Sequence, residues 1–125
     1  MLNYIYVGLG AAIGGTFRFW LSNYTYKMLP ISFPYGTLIV NVCGSFLLGF
    51  IMFYFNEREL LGPNLRIFLA IGFCGGFTTF STFSLETMNL FRDSQFWLGF
   101  LNIGLTLFLN FLAIYLAYLI SKLLG

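Results

Sequence analysis

Residues 72–84 read Gly72-Phe-Cys-Gly-Gly-Phe-Thr-Thr-Phe-Ser-Thr-Phe-Ser84, with three glycines and five hydroxyl side chains set among phenylalanines. Apolar sequence leads into this stretch from residue 67, so it lies inside any membrane span the chain forms. Ordinary spanning helices carry aliphatic bulk. A segment so poor in it implies a broken or tightly packed helix whose backbone and hydroxyls face an internal path, because hydrocarbon offers bare polar groups no partner. This segment therefore speaks to fold and function together.

The rest of the chain supplies the membrane context. Hydrophobic residues make up 59% of the 125 residues and charged residues 8%, against about 25% charged in a soluble domain. The reading is an all-α membrane protein forming a single transmembrane domain over residues 1–125. A hydrocarbon core of about 30 Å takes about 20 helical residues. Four segments meet that length, 4–24, 34–55, 67–90 and 96–120, and most charges fall between them. Only Arg18 and Glu86 lie within the apolar segments. Met1-Leu2-Asn3 carries no basic side chain and no small-x-small pattern follows the first apolar run, so a retained first span is expected rather than a cleaved signal.

Composition also excludes function classes. With no His, two Cys and four acids, the chain lacks Ser-His-Asp chemistry and an ordinary transition-metal site, and no enzyme is expected. Cys43 and Cys74 sit mid-span among apolar neighbours and read as buried thiols. A net charge of +2 is too dispersed for nucleic acid.

Four spans place both termini on one side of the membrane. Arg58, Arg66 and Lys122 then face Lys27 and Arg92, three against two, a bias too weak to fix insertion direction. Dual topology is the expectation. Four short helices also enclose too little volume for a pore of their own, so a homodimer is expected, antiparallel about a two-fold axis in the membrane plane.

Polar residues recur at helical spacing. Gly10 and Gly14, like Ala11 and Gly15, stand four apart and give the first helix a small-residue face for close contact. Arg18 follows one turn later, placed either to mark a cavity or to reach the headgroups. Thr37, Asn41 and Ser45 share one face of the second helix, and Asn102, Thr106 and Asn110 one face of the fourth. An amide facing lipid costs about 2 to 7 kcal/mol, so both ladders face protein or a permeation path. Neutral amide and hydroxyl protons suit an anion better than a cation. Phe80 and Phe83, three apart, fall on one face of an intact helix and can pack in a core or turn their positive edges to an anion. Glu86, one turn beyond Thr82, can accept hydrogen bonds from hydroxyls or sit at a mouth.

Gly14-Gly-x-x-Arg18, then Gly36-Thr-Leu-x-Val-Asn41-x-x-Gly44-Ser-Phe-Leu-Leu-Gly49, then residues 72–84 resemble the Fluc fluoride channels of bacteria, also called the CrcB family. The resemblance covers essentially the whole chain, and its third motif is the most specific. It implies a dual-topology homodimer with two antiparallel pores that passively exports fluoride and lowers its cytoplasmic level, in the bacterial inner membrane. It also implies a third helix broken at Gly-Gly-x-Thr, with the backbone carbonyls of Gly75 and Thr78 from both subunits holding a structural sodium ion that is not transported. By the same carry-over Phe80, Phe83 and Asn41 meet the fluoride, and Ser81 and Thr82 lie along the pathway. Thr37 and Glu86 complete one end of it, and Arg18 attracts anions or anchors the subunit. Thr106 and Asn110 extend the polar track, with Asn102 towards a vestibule. Family members carry Tyr or Ser along that track, so which of the three meets the ion stays open.

A proton-coupled exporter of the small multidrug-resistance type is the alternative reading. It needs a carboxylate in the first helix, where this chain has only Arg18.

Overall fold

The computed structural model describes residues 1–125 and is helical throughout, with no strand. Five helices follow in order: α1 Leu2–Met28, α2 Tyr35–Asn56, α3 over residues 63–77, α4 Phe80–Arg92 and α5 Phe96–Leu124. Helices α3 and α4 are the two halves of one apolar segment, Pro63–Arg92.

Helix α1 packs along α3 through backbone rather than side chains. A Cβ added at Gly76 would lie 2.6 Å from the Ala11 carbonyl oxygen, and one at Gly72 would lie 2.9 Å from that of Val7. From the other side, Gly10 abuts Phe68 and Phe73, and Gly14 abuts Phe73 and Phe77. The four-residue glycine spacing thus does what close helix contact requires. Helix α2 packs against α5 in the same manner, Gly49 meeting Ala117, while Val40 is wholly enclosed.

Wide, π-type turns end α2 over Ile51–Asn56 and open α3 over Ile67–Phe73. Between them Glu59 adopts a left-handed φ of 57°, and Pro63 starts α3 where its missing N–H costs nothing. Arg58 ties this end together: its guanidinium donates to the Ser121 carbonyl at 2.8 Å and stacks 4.5 Å from the Tyr54 ring centroid. At the other end Ser94, with φ of 63°, turns the chain from α4 into α5.

Three helical segments are long and apolar enough to cross a membrane: Tyr35–Asn56, Pro63–Arg92 and Phe96–Leu124. Helix α1 has the length, 27 residues or about 40 Å at 1.5 Å per residue. Its glycines, Arg18, Ser22, Asn23 and Thr25 dilute the hydropathy that the other three reach. The expectation that both thiols are buried is corrected for one of them. Cys74 is enclosed at the break, but Cys43 lies on an outward face of α2.

Candidate functional site at the helix break

The helix break falls at the threonine that ends the Gly-Gly-x-Thr stretch. Gly75 and Gly76 remain helical, and the chain turns extended at Thr78 (φ −94°, ψ 159°) and Thr79 (φ −152°, ψ 118°) before α4 begins. Two extended residues inside a bundle expose amides and carbonyls that need partners. Asn41 on α2 supplies them. Its Nδ2 donates to the Thr79 carbonyl at 3.0 Å, and the Thr79 amide donates to its Oδ1 at 2.8 Å. The side-chain amide thus pairs with Thr79 as a neighbouring strand would.

Thr79 then caps α4, its Oγ1 accepting from the Thr82 amide at 3.2 Å and donating to the Thr82 hydroxyl at 3.0 Å. These bonds have a consequence for two carbonyls. In an unbroken helix the Thr79 amide would bond to Gly75 and the Thr82 amide to Thr78. Both amides are engaged elsewhere, on Asn41 and on Thr79 Oγ1. Helix α3 finds its C-terminal partner in Arg18, whose Nε donates to the Gly76 carbonyl at 3.1 Å. A cation there also complements the negative end of the helix dipole. Arg18 is therefore pinned at the break rather than extended to the headgroups.

Two cavities meet at Thr79. The larger, of about 460 Å³, is a cleft among α2, α3, α4 and α5, walled by Asn41, Ser45, Phe80, Phe83, Thr106 and Asn110. Gly75 and Thr78 contribute to its floor. No charged side chain lines it. The Phe80 and Phe83 rings stand with centroids 5.5 Å apart, tilted by 53°. Phe83 is 7% exposed while Phe80, at the open side of the cleft, is 76% exposed on the single chain. The smaller cavity, of about 180 Å³, holds Arg18, Thr37, Thr82 and Glu86 beside Thr79. One carboxylate oxygen of Glu86 is buried there without a hydrogen-bond partner.

The predicted site residues thus separate into groups. Phe80, Phe83, Asn41, Thr106 and Asn110 converge on the cleft; Thr37, Thr82, Arg18 and Glu86 converge on the smaller cavity. Ser81 is exposed on α4 and lines neither. Asn102 is 1% exposed and also lines neither. Its side-chain amide is paired instead with Thr87 on α4, donating to that hydroxyl at 2.9 Å. Sequence reasoning passed over Thr79, which belongs to both cavities. The signal was present: a threonine straight after a glycine-marked helix end, three residues before another hydroxyl, is a helix cap.

An all-helical membrane protein with an uncharged, donor-lined cleft beside a mid-membrane helix break is built to handle a small polar species rather than to perform covalent chemistry. The chain belongs to the CrcB family: the family described as CrcB-like protein, Camphor Resistance (CrcB), matches residues 5–118. Curated relatives bear the name fluoride-specific ion channel FluC. The protein of Methylocella silvestris is 38% identical over 122 residues, 96% of this chain and 93% of its own length. That of a Sulfurihydrogenibium species is 39% identical over 124 residues, covering 99% and 100%. That of Magnetococcus marinus is 42% identical over 118 residues, covering 94% and 96%.

Proposed function

We propose that this protein is a fluoride-specific ion channel that lets fluoride leave the bacterial cell passively across the inner membrane. The observation that carries the reading is the junction at Thr79, where the cavity holding Arg18 adjoins a cleft walled by uncharged amides, hydroxyls and two aromatic rings. The relatives' name, held at 38–42% identity over nearly the whole chain, agrees with it. Fluoride is strongly hydrated, so a path can conduct it only by replacing water with several donor sites in succession, none of them deep. Asn41, Thr106 and Asn110 supply such donors, and the edges of Phe80 and Phe83 supply positive quadrupole.

The working unit is an antiparallel homodimer of dual topology with two pores, and α1 is the fourth span of each subunit. Support comes from the cleft's open side. Ile71, Phe80, Leu107 and Phe111 are all exposed there on the single chain, and a second copy laid over them encloses the path. The carbonyls of Gly75 and Thr78 would hold a sodium ion at that interface. Oxygen-only ligation suits a hard cation, and the two amides that would otherwise occupy these carbonyls are bonded elsewhere. The ion's part is structural: its charge compensates carbonyls that a broken helix leaves bare. Proton-coupled drug export is disfavoured because the one membrane-embedded acid, Glu86, lies in the smaller cavity and not at the cleft.

Liposomes containing only the purified protein test the reading. Fluoride efflux should be fast and chloride efflux negligible; equal passage of both ions, or of neither, overturns it.

A further inference from the structure

Asn102 is more deeply buried than any polar side chain lining the two cavities, and the bonds around it define its role. The Thr87 hydroxyl has one proton, and it is spent on the Phe83 carbonyl oxygen at 2.7 Å. Thr87 Oγ1 can therefore only accept from Asn102, so the amide group facing it, at 2.9 Å, must be the Nδ2 side. That fixes the orientation of the whole side chain. Asn102 Oδ1 is left pointing along α5 to the Thr106 hydroxyl, which donates to it over 3.4 Å. Thr106 in turn accepts from Asn110 Nδ2 at its carbonyl, at 2.7 Å, and Asn110 Oδ1 accepts from Ser45.

Every bond in this network is short except one. The Thr106 hydroxyl is held by a bond at the long limit of hydrogen bonding, and Thr106 is also the member of the trio Thr87, Asn102 and Thr106 that lines the cleft. Its proton is thus the one that a passing anion can redirect without breaking anything else.

Resting on the channel reading, we propose that Asn102 is a positioning residue rather than an ion ligand. Through Thr87 it fixes the α4 turn that carries Phe83, and through its Oδ1 it parks the Thr106 proton until an anion in the cleft takes it. Asn102 itself does not reach the path, since the residue is 1% exposed and lines neither cavity.

The test is a double-mutant cycle on fluoride efflux from liposomes, with thermal stability of the detergent-solubilised protein measured alongside. Asn102→Leu and Thr87→Val keep side-chain shape and remove the polar groups. Each should slow efflux by about tenfold, the scale set by loss of one buried hydrogen bond, and the double variant should be no slower than either single one. Thr87→Ser restores the hydroxyl and should return efflux to within about twofold of the parent. If Asn102→Leu abolishes efflux while Thr87→Val conducts like the parent, Asn102 meets the ion directly and the proposal fails. If the two losses multiply, the residues act independently and it fails likewise. If both variants melt earlier yet conduct at the parent rate, the network serves stability alone and it also fails. Absence of fluoride efflux from the parent protein would instead strike the channel reading itself.

Discussion

The two cavities that share Thr79 differ in one respect above all: the smaller contains both charged side chains found inside the apolar segments, Arg18 and Glu86, and the larger contains none. The division has a physical logic. A fixed charge attracts an ion from a distance, but in a narrow, poorly hydrated passage its field becomes so strong that an opposite ion would be trapped and a like ion excluded. Neutral dipoles and ring edges offer weaker, repeated attraction, which is what transit needs. On the proposed channel reading the smaller cavity serves capture and the cleft passage, with Thr79 lining both and Asn41 bonded to it.

The strongest way to break the comparison is to remove that pairing. Asn41→Leu leaves the Thr79 amide and carbonyl without partners in the membrane interior, at a cost of about 1 to 3 kcal/mol for each group. Efflux should fall by about a hundredfold or more, and thermal stability should drop with it. Efflux near the parent rate would mean that the two cavities are not in series. The next largest effect concerns the rings. Phe83→Ile, at a buried position lining the cleft, should slow fluoride by about tenfold, the scale of one or two lost aromatic contacts. Phe80→Ile should match it only if a second copy covers the open side of the cleft. A harmless Phe80→Ile beside a slow Phe83→Ile would place Phe80 against lipid and count against the dimer.

How much of this was legible in the sequence depends on whether the cause is local. The helix break, the glycine contact of α1 with α3 and the convergence of Asn41, Thr106 and Asn110 on one cleft follow from period and side-chain type. The segment 72–84 announced irregular backbone because nothing in it prefers to face lipid. What holds the break open did not follow. Gly75 and Gly76 are themselves still helical, and Gly76 serves sterically by letting the Ala11 backbone approach. The extended residues at the break are held by a tertiary partner, Asn41, which sequence spacing cannot assign to Thr79. Asn102 shows the same limit. Its spacing put it in line with Thr106 and Asn110, but Thr87 from a different helix claims its amide. Cys43, apolar in context yet outward-facing, shows that mid-span position does not specify which way a helix turns.

The gentlest test sharpens the contrast from the capture side. Arg18 does two jobs at once, donating to the Gly76 carbonyl and bringing positive charge to the smaller cavity. Arg18→Gln separates them, because a glutamine amide can still donate to that carbonyl but carries no charge. If the cavity serves capture, efflux at low ionic strength should fall about two- to threefold, as expected of weakened electrostatic steering. The deficit should shrink as an impermeant salt is raised towards about 1 M, where the screening length contracts to about 3 Å. The fluoride-to-chloride ratio should stay as it was, since selection belongs to the uncharged cleft. A change in that ratio would give Arg18 a share in selectivity, and the separation between a charged capture site and a neutral passage would no longer hold.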